Sequence, residues 1–536
     1  MIVRMKHIDL VCIAAEQEAT LEKLRALGAV HLDLGAANGA SSQAAKGEIE
    51  SAEAAVRLIL KVRGKEFSEE IRPASVAEVL ALDADRATLQ SEKERLEREI
   101  KAYEPYGDFD PVLAKKLMEK GIDLADRLPA KLPKMRLSKM REKLARIVNR
   151  LAIDTAKIAR ADEQAILATS PALRDKMAFE QARELMSERG AVAVISGWVP
   201  MPQVDGLQSA ARNSGWGLLL RDPSADETPP TKVEPPKFVK AVAALFEGLG
   251  IAVAYREADV SVPFMCYFTL FFAMLVGDGA YGAIFLVATL LMRKKLARSW
   301  FVLLTVFSLA TIAWGTLSNT WFGAQIPWCA DWPTVRWLAG ADAEAGHQYD
   351  NMMFLCFTIG VTHLMVARLW NGICTINSRA CLSEFGWAGI ILFMYILTNS
   401  IVGIFGGIPT WCFWMFGVSF LTLFIQAKGM DKGMLFLNTM SVLGDIISYV
   451  RLFAVGLASV QVAANFNSMA LNLGLPAWIK WLPLVLILAV GHGLNLAMAG
   501  LSVLVHAVRL NTLEFSNHKG ISWAGYSFKP FTKTKE

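Results

Sequence analysis

From residue 261 onward the chain is written in apolar blocks: 261–292, 299–323, 352–370, 385–405, 410–427, 434–470 and 477–515, parted by short polar or basic stretches. A helix that crosses a bilayer needs about 20 apolar residues, so these blocks predict membrane helices. The first 260 residues alternate on shorter periods. "HIDLVCIA" reads as a strand, 16–27 as a helix and "AVHLDL" as a second strand. Charged amphipathic helices are predicted over 45–63 and 84–104, and a long helical stretch over Leu137–Met186, interrupted near Ser170–Pro171. "AVAVISGWVP" reads as a strand, 205–213 as a helix and "GWGLLLRD" as a strand. Two long helical stretches flanking a small segment predict an antiparallel coiled-coil arm with a small α/β lobe at each end. "PSADETPPTKVEPPK" (223–237) is a proline-rich linker. The expected architecture is therefore mainly α: two lobes and an arm over 1–222, a linker over 223–260, an eight-helix membrane domain over 261–515 and a tail over 516–536.

Charge sharpens this division. Of 55 basic and 50 acidic side chains, 26 lie in residues 261–536 and 79 in the first 260. The first part is built for water and the second for lipid. A net charge of +5 over 536 residues makes no case for nucleic acid. The N-terminal "MIVRMKHIDLVCIAAEQEAT" has too short an apolar run for a signal peptide, so the soluble part is expected in the cytoplasm. The seven cysteines are scattered and form no CxxC pair, which points away from a disulfide framework or a zinc site. GxxxxGK[ST] is absent, so if ATP is involved another chain hydrolyses it. The arm reads equally as a dimerisation coiled coil or as a strut that docks on a partner.

Loop charges set the span count. "RKKLAR" (293–298) is basic and expected in the cytoplasm, like the part before block 261–292. Both ends of that block then share one side, which requires a hairpin of two short helices turning near Asp278. With eight spans, Arg368 and Arg379, Lys428 and Lys432, and the tail lysines all fall inside. The 324–351 loop, with Asp331, Asp342, Glu344 and Asp350 against Arg336, falls outside.

Ionisable groups inside such helices are costly, about 2.5–3.5 kcal/mol at mid-bilayer on insertion scales, and call for a reason. Asp278 sits at the hairpin turn, where a polar residue is structural. Glu384 beside Arg379 reads as interfacial, and His363 as a histidine satisfied by another helix. In the last block His492, Asn495, Ala499, Ser502, His506 and Arg509 recur at spacings of 3 and 4, which places them on one helical stripe. Helix packing would explain Ala499 and Ser502; two histidines and an arginine favour an aqueous ion path. In the preceding block Asp445, Ser448 and Arg451 follow at i, i+3 and i+6. Six residues put Asp445 and Arg451 nearly opposite each other on one helix, so Arg451 needs a counter-charge from elsewhere. A salt bridge to another span is one answer, a carboxylate on a separate moving chain the favoured one.

"SYVRLFAVGLASV" together with "GHGLNLAMAGLSVLVHAVRLNTLEF" resembles the two long tilted C-terminal helices of subunit a, also called subunit I, of V-type and archaeal-type rotary ATPases. "FFAMLVGDGAYG", "WGTLSNTWFG", "IGVTH", "EPYGDFDP", "SGWVP" and "PPTKVEPP" are similar to further parts of that family, so the resemblance spans nearly the whole chain. It implies a non-hydrolytic membrane stator beside a rotating ring of proteolipid (c/K) subunits, each with one ion-carrying carboxylate. Arg451 matches the family's essential arginine and Arg509 its second arginine. His492, Asn495, Ser502 and His506 would line one half-channel, and Asp445 and Ser448 would contribute to that one or the other. The arm would bind peripheral-stalk E/G-type subunits and the central-stalk socket subunit, in a prokaryotic cell membrane with both termini cytoplasmic. No cofactor or metal is implied. Two departures stand out: eukaryotic relatives carry glutamate where this chain has Ala499, a gap that Glu514 or Asp445 would fill, and "ADVSVP" replaces the usual "DPT" before the first hairpin. A stand-alone secondary transporter is the alternative, but only one broken helix appears where such folds pair two. A coiled-coil scaffold would not need the polar stripe.

Overall fold

A computed structural model describes residues 2–33, 40–63, 71–120, 128–129, 131–236, 239–340, 347, 349–474 and 476–533. The chain divides into two compact units, one of residues 6–222 with 529–536 and one of residues 1–5 with 223–528. Overall it is mainly helical, with a small sheet near the N-terminus.

In the first unit β1 (Met5–Ile13), α1 (Gln17–Leu27) and β2 (His31–Leu32) are followed by α2 (Ala40–Arg63), α3 (Val76–Tyr103), α4 (Pro111–Glu119), α5 (Leu137–Arg160) and α6 (Glu163–Leu185). The chain then returns through β3 (Ser187–Arg189), β4 (Val192–Pro200), α7 (Val204–Ser214) and β5 (Gly217–Arg221). The strands expected as two separate lobes join one sheet, ordered β2–β4–β1–β5, with β3 also paired antiparallel to β4. Size explains the correction: two strands and one helix cannot bury an apolar face alone. Ile8, Leu10 and Cys12 of β1 instead share a core with Ile195 of β4, Leu207 of α7 and Phe531 from the opposite end of the chain. The long helices pair as α2 with α6 and α3 with α5. Ion pairs Glu48–Lys176 and Glu53–Arg174 in the first pair, and Glu92–Lys143 and Glu104–Arg141 in the second, run in antiparallel register.

The predicted break at Ser170–Pro171 falls instead at Ala161–Asp162. Asp162 caps α6 by accepting from the N–H groups of Gln164 and Ala165, and Arg63 binds the carbonyls of Ala159 and Ala161. Pro171 lies inside α6. A good cap with a satisfied last turn decided the boundary more strongly than a proline.

The second unit holds α8 (Val242–Leu249), α9 (Ser261–Val276), α10 (Gly279–Leu291), α11 (Arg298–Leu317), α12 (Pro333–Leu338), α13 (Asp350–Cys374), α14 (Ala380–Ile401) and α15 (Thr410–Gln426). These are followed by α16 (Asp431–Ile447), α17 (Val450–Leu471), α18 (Ala477–Ser502) and α19 (Ser516–Lys519), with two π-helical segments between the last two, Val503–Ala507 and Leu510–Phe515. Among the described residues five helices are long and apolar enough to cross a membrane: α11, α13, α14, Asp431–Leu471 and Ile479–Lys519. The last two are 41 residues each, about twice what a perpendicular crossing requires. α15 is a shorter apolar helix of 17 residues, and α9 and α10 form a pair bent by 117°.

The bend has a local cause. Gly277 closes α9 in the left-handed region at φ 70°, where a side chain would be strained. Asp278 then caps α10, its Oδ1 accepting from Ala280 and Tyr281 and its Oδ2 from Gly323 N–H at 2.8 Å. α10 lies against α11 so closely that a Cβ on Gly315 would come within 2.0 Å of the Gly279 nitrogen. Small residues are what permit such an approach.

Candidate functional site

The polar stripe of α18 and its continuation meets two groups of partners, and a third polar group lies apart from it at the end of α16. Along α18, His492 Nδ1 lies 2.8 Å from the Tyr281 hydroxyl, and its Nε2 lies 3.1 Å from Asn467 Oδ1. Asn495 donates from Nδ2 to the Tyr281 hydroxyl and to the Ser459 carbonyl, and accepts from Ser459 Oγ at 3.1 Å. Helices α17 and α18 are antiparallel neighbours here, and α10 supplies the tyrosine. Tyr281 and Asn495 are both about 1% exposed, so each bond replaces a lost hydrogen bond to water.

Farther along, Glu514 reaches Arg509 Nε at 3.5 Å and Arg451 Nη1 at 4.0 Å, all through Oε1. Arg451 stands in the first turn of α17, and Glu514 is buried in the second π segment. Arg451 Nη1, Glu514 Oε2 and His506 Nδ1 are buried without a hydrogen-bond partner among the described residues. The geometry is that of two guanidinium groups sharing one carboxylate, with donors left over. Asp445 does not pair with Arg451, as helical phase implies; among the described residues the carboxylate that approaches Arg451 is Glu514, a pairing the sequence pattern does not bring out. The π segments explain the miss: an i→i+5 turn carries an extra residue, so an α-helical wheel misplaces everything after residue 502. Ala499 is buried on the stripe at 2% exposure, and Ser502 is half-buried between the two groups and belongs to neither.

The third group lies at the end of α16. Asp445 Oδ2 pairs with His518 Nε2 at 3.0 Å, and His518 Nδ1 accepts from Arg368 Nε at 3.1 Å. Arg368 Nη1 binds Glu384 at 3.1 Å, so Glu384 pairs with Arg368 rather than with its sequence neighbour Arg379. Ser448 turns back onto the Asp445 carbonyl at 2.7 Å. Asp445 and Ser448 are thus not brought to the stripe with His492 and Arg509. His363 bonds the Tyr449 hydroxyl at 2.8 Å and stacks on Phe515, as expected for a histidine held by another helix.

Tyr281 and His518 are absent from the sequence-based site. Tyr281 sits in a glycine-rich turn that reads as pure hairpin, and His518 lies past the last apolar block. A cavity of about 230 Å³ opens beside α17, lined among others by Trp314, Ser318, Thr320, Gln325, Gln461 and Leu452, the residue after Arg451. No cluster of His, Cys, Asp and Glu suited to a metal occurs among the described residues.

The site is an arginine-bearing polar seam between long apolar helices, the pattern of a membrane protein. No family model matches the sequence, but relatives do. The chain is 30% identical to "V-type ATP synthase subunit I 1" of Treponema pallidum, over 99% of this chain and 100% of that protein. It is 30% identical to "V-type ATP synthase subunit I" of Borreliella burgdorferi, over 67% of this chain and 63% of that one. It is 24% identical to "A-type ATP synthase subunit I" of Methanocaldococcus jannaschii, over 75% and 64%. The chain belongs to the subunit I family of V-type and A-type ATP synthases, and it is a membrane protein.

Proposed function

We propose that this chain is the membrane stator of a V/A-type rotary ATPase, supplying the ion half-channels beside a proteolipid ring without hydrolysing ATP itself. The observation that carries this is the Arg451–Glu514–Arg509 group: one carboxylate between two permanent cations, with Arg451 Nη1 buried and lacking a hydrogen-bond partner among the described residues. That arrangement holds a net positive charge and an unused donor where α17 is apolar. A ring carboxylate arriving at Arg451 would be drawn into its charged form and release its H⁺ or Na⁺. The fixed guanidinium would also bar ions from passing straight between half-channels. Each charge moved through the potential is worth about 2.3 kcal/mol per 100 mV.

The remaining assignments follow from this reading. The membrane domain, 261–515, would have eight spans if the α9–α10 pair counts as two and α15 as one beside the five long apolar helices, and the two 41-residue helices would cross it tilted. The cavity reaching Leu452 from the loops around Thr320 and Gln325 suits the outer half-channel. His492 and Asn495, with Tyr281, would form part of a half-channel where α10, α17 and α18 meet, apart from that cavity's lining, and His506 and Ser502 would continue the path past Arg451. Glu514 stands where it can offset the carboxylate missing at Ala499. Residues 1–222 would act as the cytoplasmic arm holding peripheral-stalk E/G-type and central-stalk socket subunits, joined by the 223–260 linker, with 516–536 also cytoplasmic in a prokaryotic cell membrane. Arg451→Ala in the whole complex, reconstituted in vesicles, tests the reading: ATP-driven ion uptake is expected to vanish while assembly persists, and retained uptake overturns it.

A further inference from the structure

After α11 the chain makes a tight turn over residues 318–325, in which Asn319 (φ 53°), Phe322 (φ 51°) and Gly323 (φ 70°) take the left-handed conformation. Asparagine tolerates that region, but a bulky residue there is an outlier, and such strain persists only where the surroundings over-determine it. Here they do. Thr320 donates to the Gly315 carbonyl at 2.8 Å and accepts from the Gly279 N–H at 2.9 Å, and Trp321 and Ala324 exchange both backbone bonds. Gly323 N–H is held by Asp278 Oδ2, and Asn467 Nδ2 donates to the Phe322 carbonyl at 2.6 Å. A glycine at 322 would follow the same path without strain, so what the strained residue adds is its ring. That ring lies edge-on to His492 and Tyr281, with centroids 5.2 and 5.9 Å away. Tyr281 and Asn495 are buried and His492 is half-buried, whereas Phe322 is 43% exposed, so the phenyl group is the outer cover of the Tyr281–His492–Asn495 group.

The same turn also borders the cavity of about 230 Å³, which Ser318, Thr320 and Gln325 help to line. The order along α17 agrees. Gln461 lines the cavity, and Ala463 meets Gly323 so closely that a Cβ on the glycine would come within 2.6 Å of its own. Asn467, one turn farther on, belongs to the polar group through His492. We infer that the 318–325 turn is a partition between the cavity and the Tyr281–His492–Asn495 group, and that Phe322 is its gate: water, or a small hydrated cation, passes from the cavity to His492 only when the ring swings aside. The consequence for ion passage rests on the half-channel reading; the partition itself does not. A phenyl edge offers no hydrogen bond, and an apolar constriction closes a path by excluding water from it. Opening breaks the Asn467 bond to the Phe322 carbonyl and relieves the backbone strain at Phe322, so the two changes offset each other. The closed state is the one described here, with both nitrogens of His492 bonded within the protein.

The test uses the complete ATPase in vesicles, treated with diethyl pyrocarbonate, which acylates accessible imidazole nitrogens. The rates at His492 and His506 are read separately by mass spectrometry of the peptides. Phe322→Ala removes the ring and keeps the carbonyl that Asn467 binds, so His492 should react several-fold faster than in the wild type while His506 keeps its rate. Phe322→Trp, which keeps an aromatic cover, should react at His492 no faster than the wild type. An unchanged rate at His492 in the alanine variant overturns the gate. A rise of equal size at both histidines marks a general loosening of the helices and overturns it too. If the alanine variant does not assemble, Phe322→Leu decides by the same two rates, since leucine is apolar but too short to cover both rings. These rates do not depend on pumping. Faster labelling of His492 supports the gate even if Arg451→Ala still pumps, and unchanged labelling sinks the gate while leaving the stator reading of Arg451 untouched.

Discussion

The Tyr281–His492–Asn495 group and the Arg451–Glu514–Arg509 group lie against the same pair of long helices, yet they are built on opposite terms. In the first, both ring nitrogens of His492 and both ends of the Asn495 amide have partners. In the second, three buried polar atoms have none among the described residues, and two cations share one anion. A satisfied buried network rigidifies, while an unsatisfied one is costly to keep. Under the proposed function, the unmet atoms at Arg451 are where a ring carboxylate would bind, and the closed network nearer the start of α18 would hold the helices steady meanwhile.

That contrast can be broken from either side. Glu514→Gln should have the largest effect, because it leaves two guanidinium groups facing a neutral amide; breaking a buried pair costs about 3–5 kcal/mol, read as a lower unfolding midpoint of the purified complex with ion uptake down at least tenfold. Gly315→Ala forces a methyl group into the α10 backbone and should cost about 1–3 kcal/mol or more. It would displace Tyr281 and slacken the closed network, as seen in the same melting experiment. Tyr281→Phe removes only the bridging hydroxyl, at about 1–3 kcal/mol, and uptake should fall far less than for Arg451→Ala; an equal fall would erase the distinction between the two groups. The smallest effect lies outside the membrane. Burial lowers the pKa of His31, and its Nδ1 accepts from the Lys529 N–H. The neutral ring contributes stability that is fully present above its ordinary value of 6.5 and is lost as the pH falls below that value and through the lower value in the folded protein. The protection of the Lys529 and Phe531 amides, measured as exchange relative to the intrinsic rate at each pH, should therefore fall in mild acid.

Much of this was legible in the residues. The apolar blocks located the helices, and the 3–4 spacing put His492 and Asn495 on a common seam, where both meet Tyr281. Asp278 read correctly as a turn residue because capping is local chemistry. What escaped was set by tertiary context. The partner of Arg451 is reached only through a stretch of π-helix, which no α-helical wheel reproduces. Tyr281 meets His492 across 211 residues of sequence. His518 lies beyond the last apolar block, and only the packing of α13, α16 and α19 makes it interior. The sheet of the first unit followed the same rule, since strands separated by two long helical excursions gave no local sign that they were neighbours.

Phe531 is buried in the core that β1 begins, its N–H bonded to the Val30 carbonyl. During synthesis, the strands and helices that surround it are made hundreds of residues earlier. The small sheet must then wait, with a gap in its apolar interior, until every membrane helix has left the ribosome. Chains stalled or cut before residue 531 would leave that gap in the apolar interior unfilled.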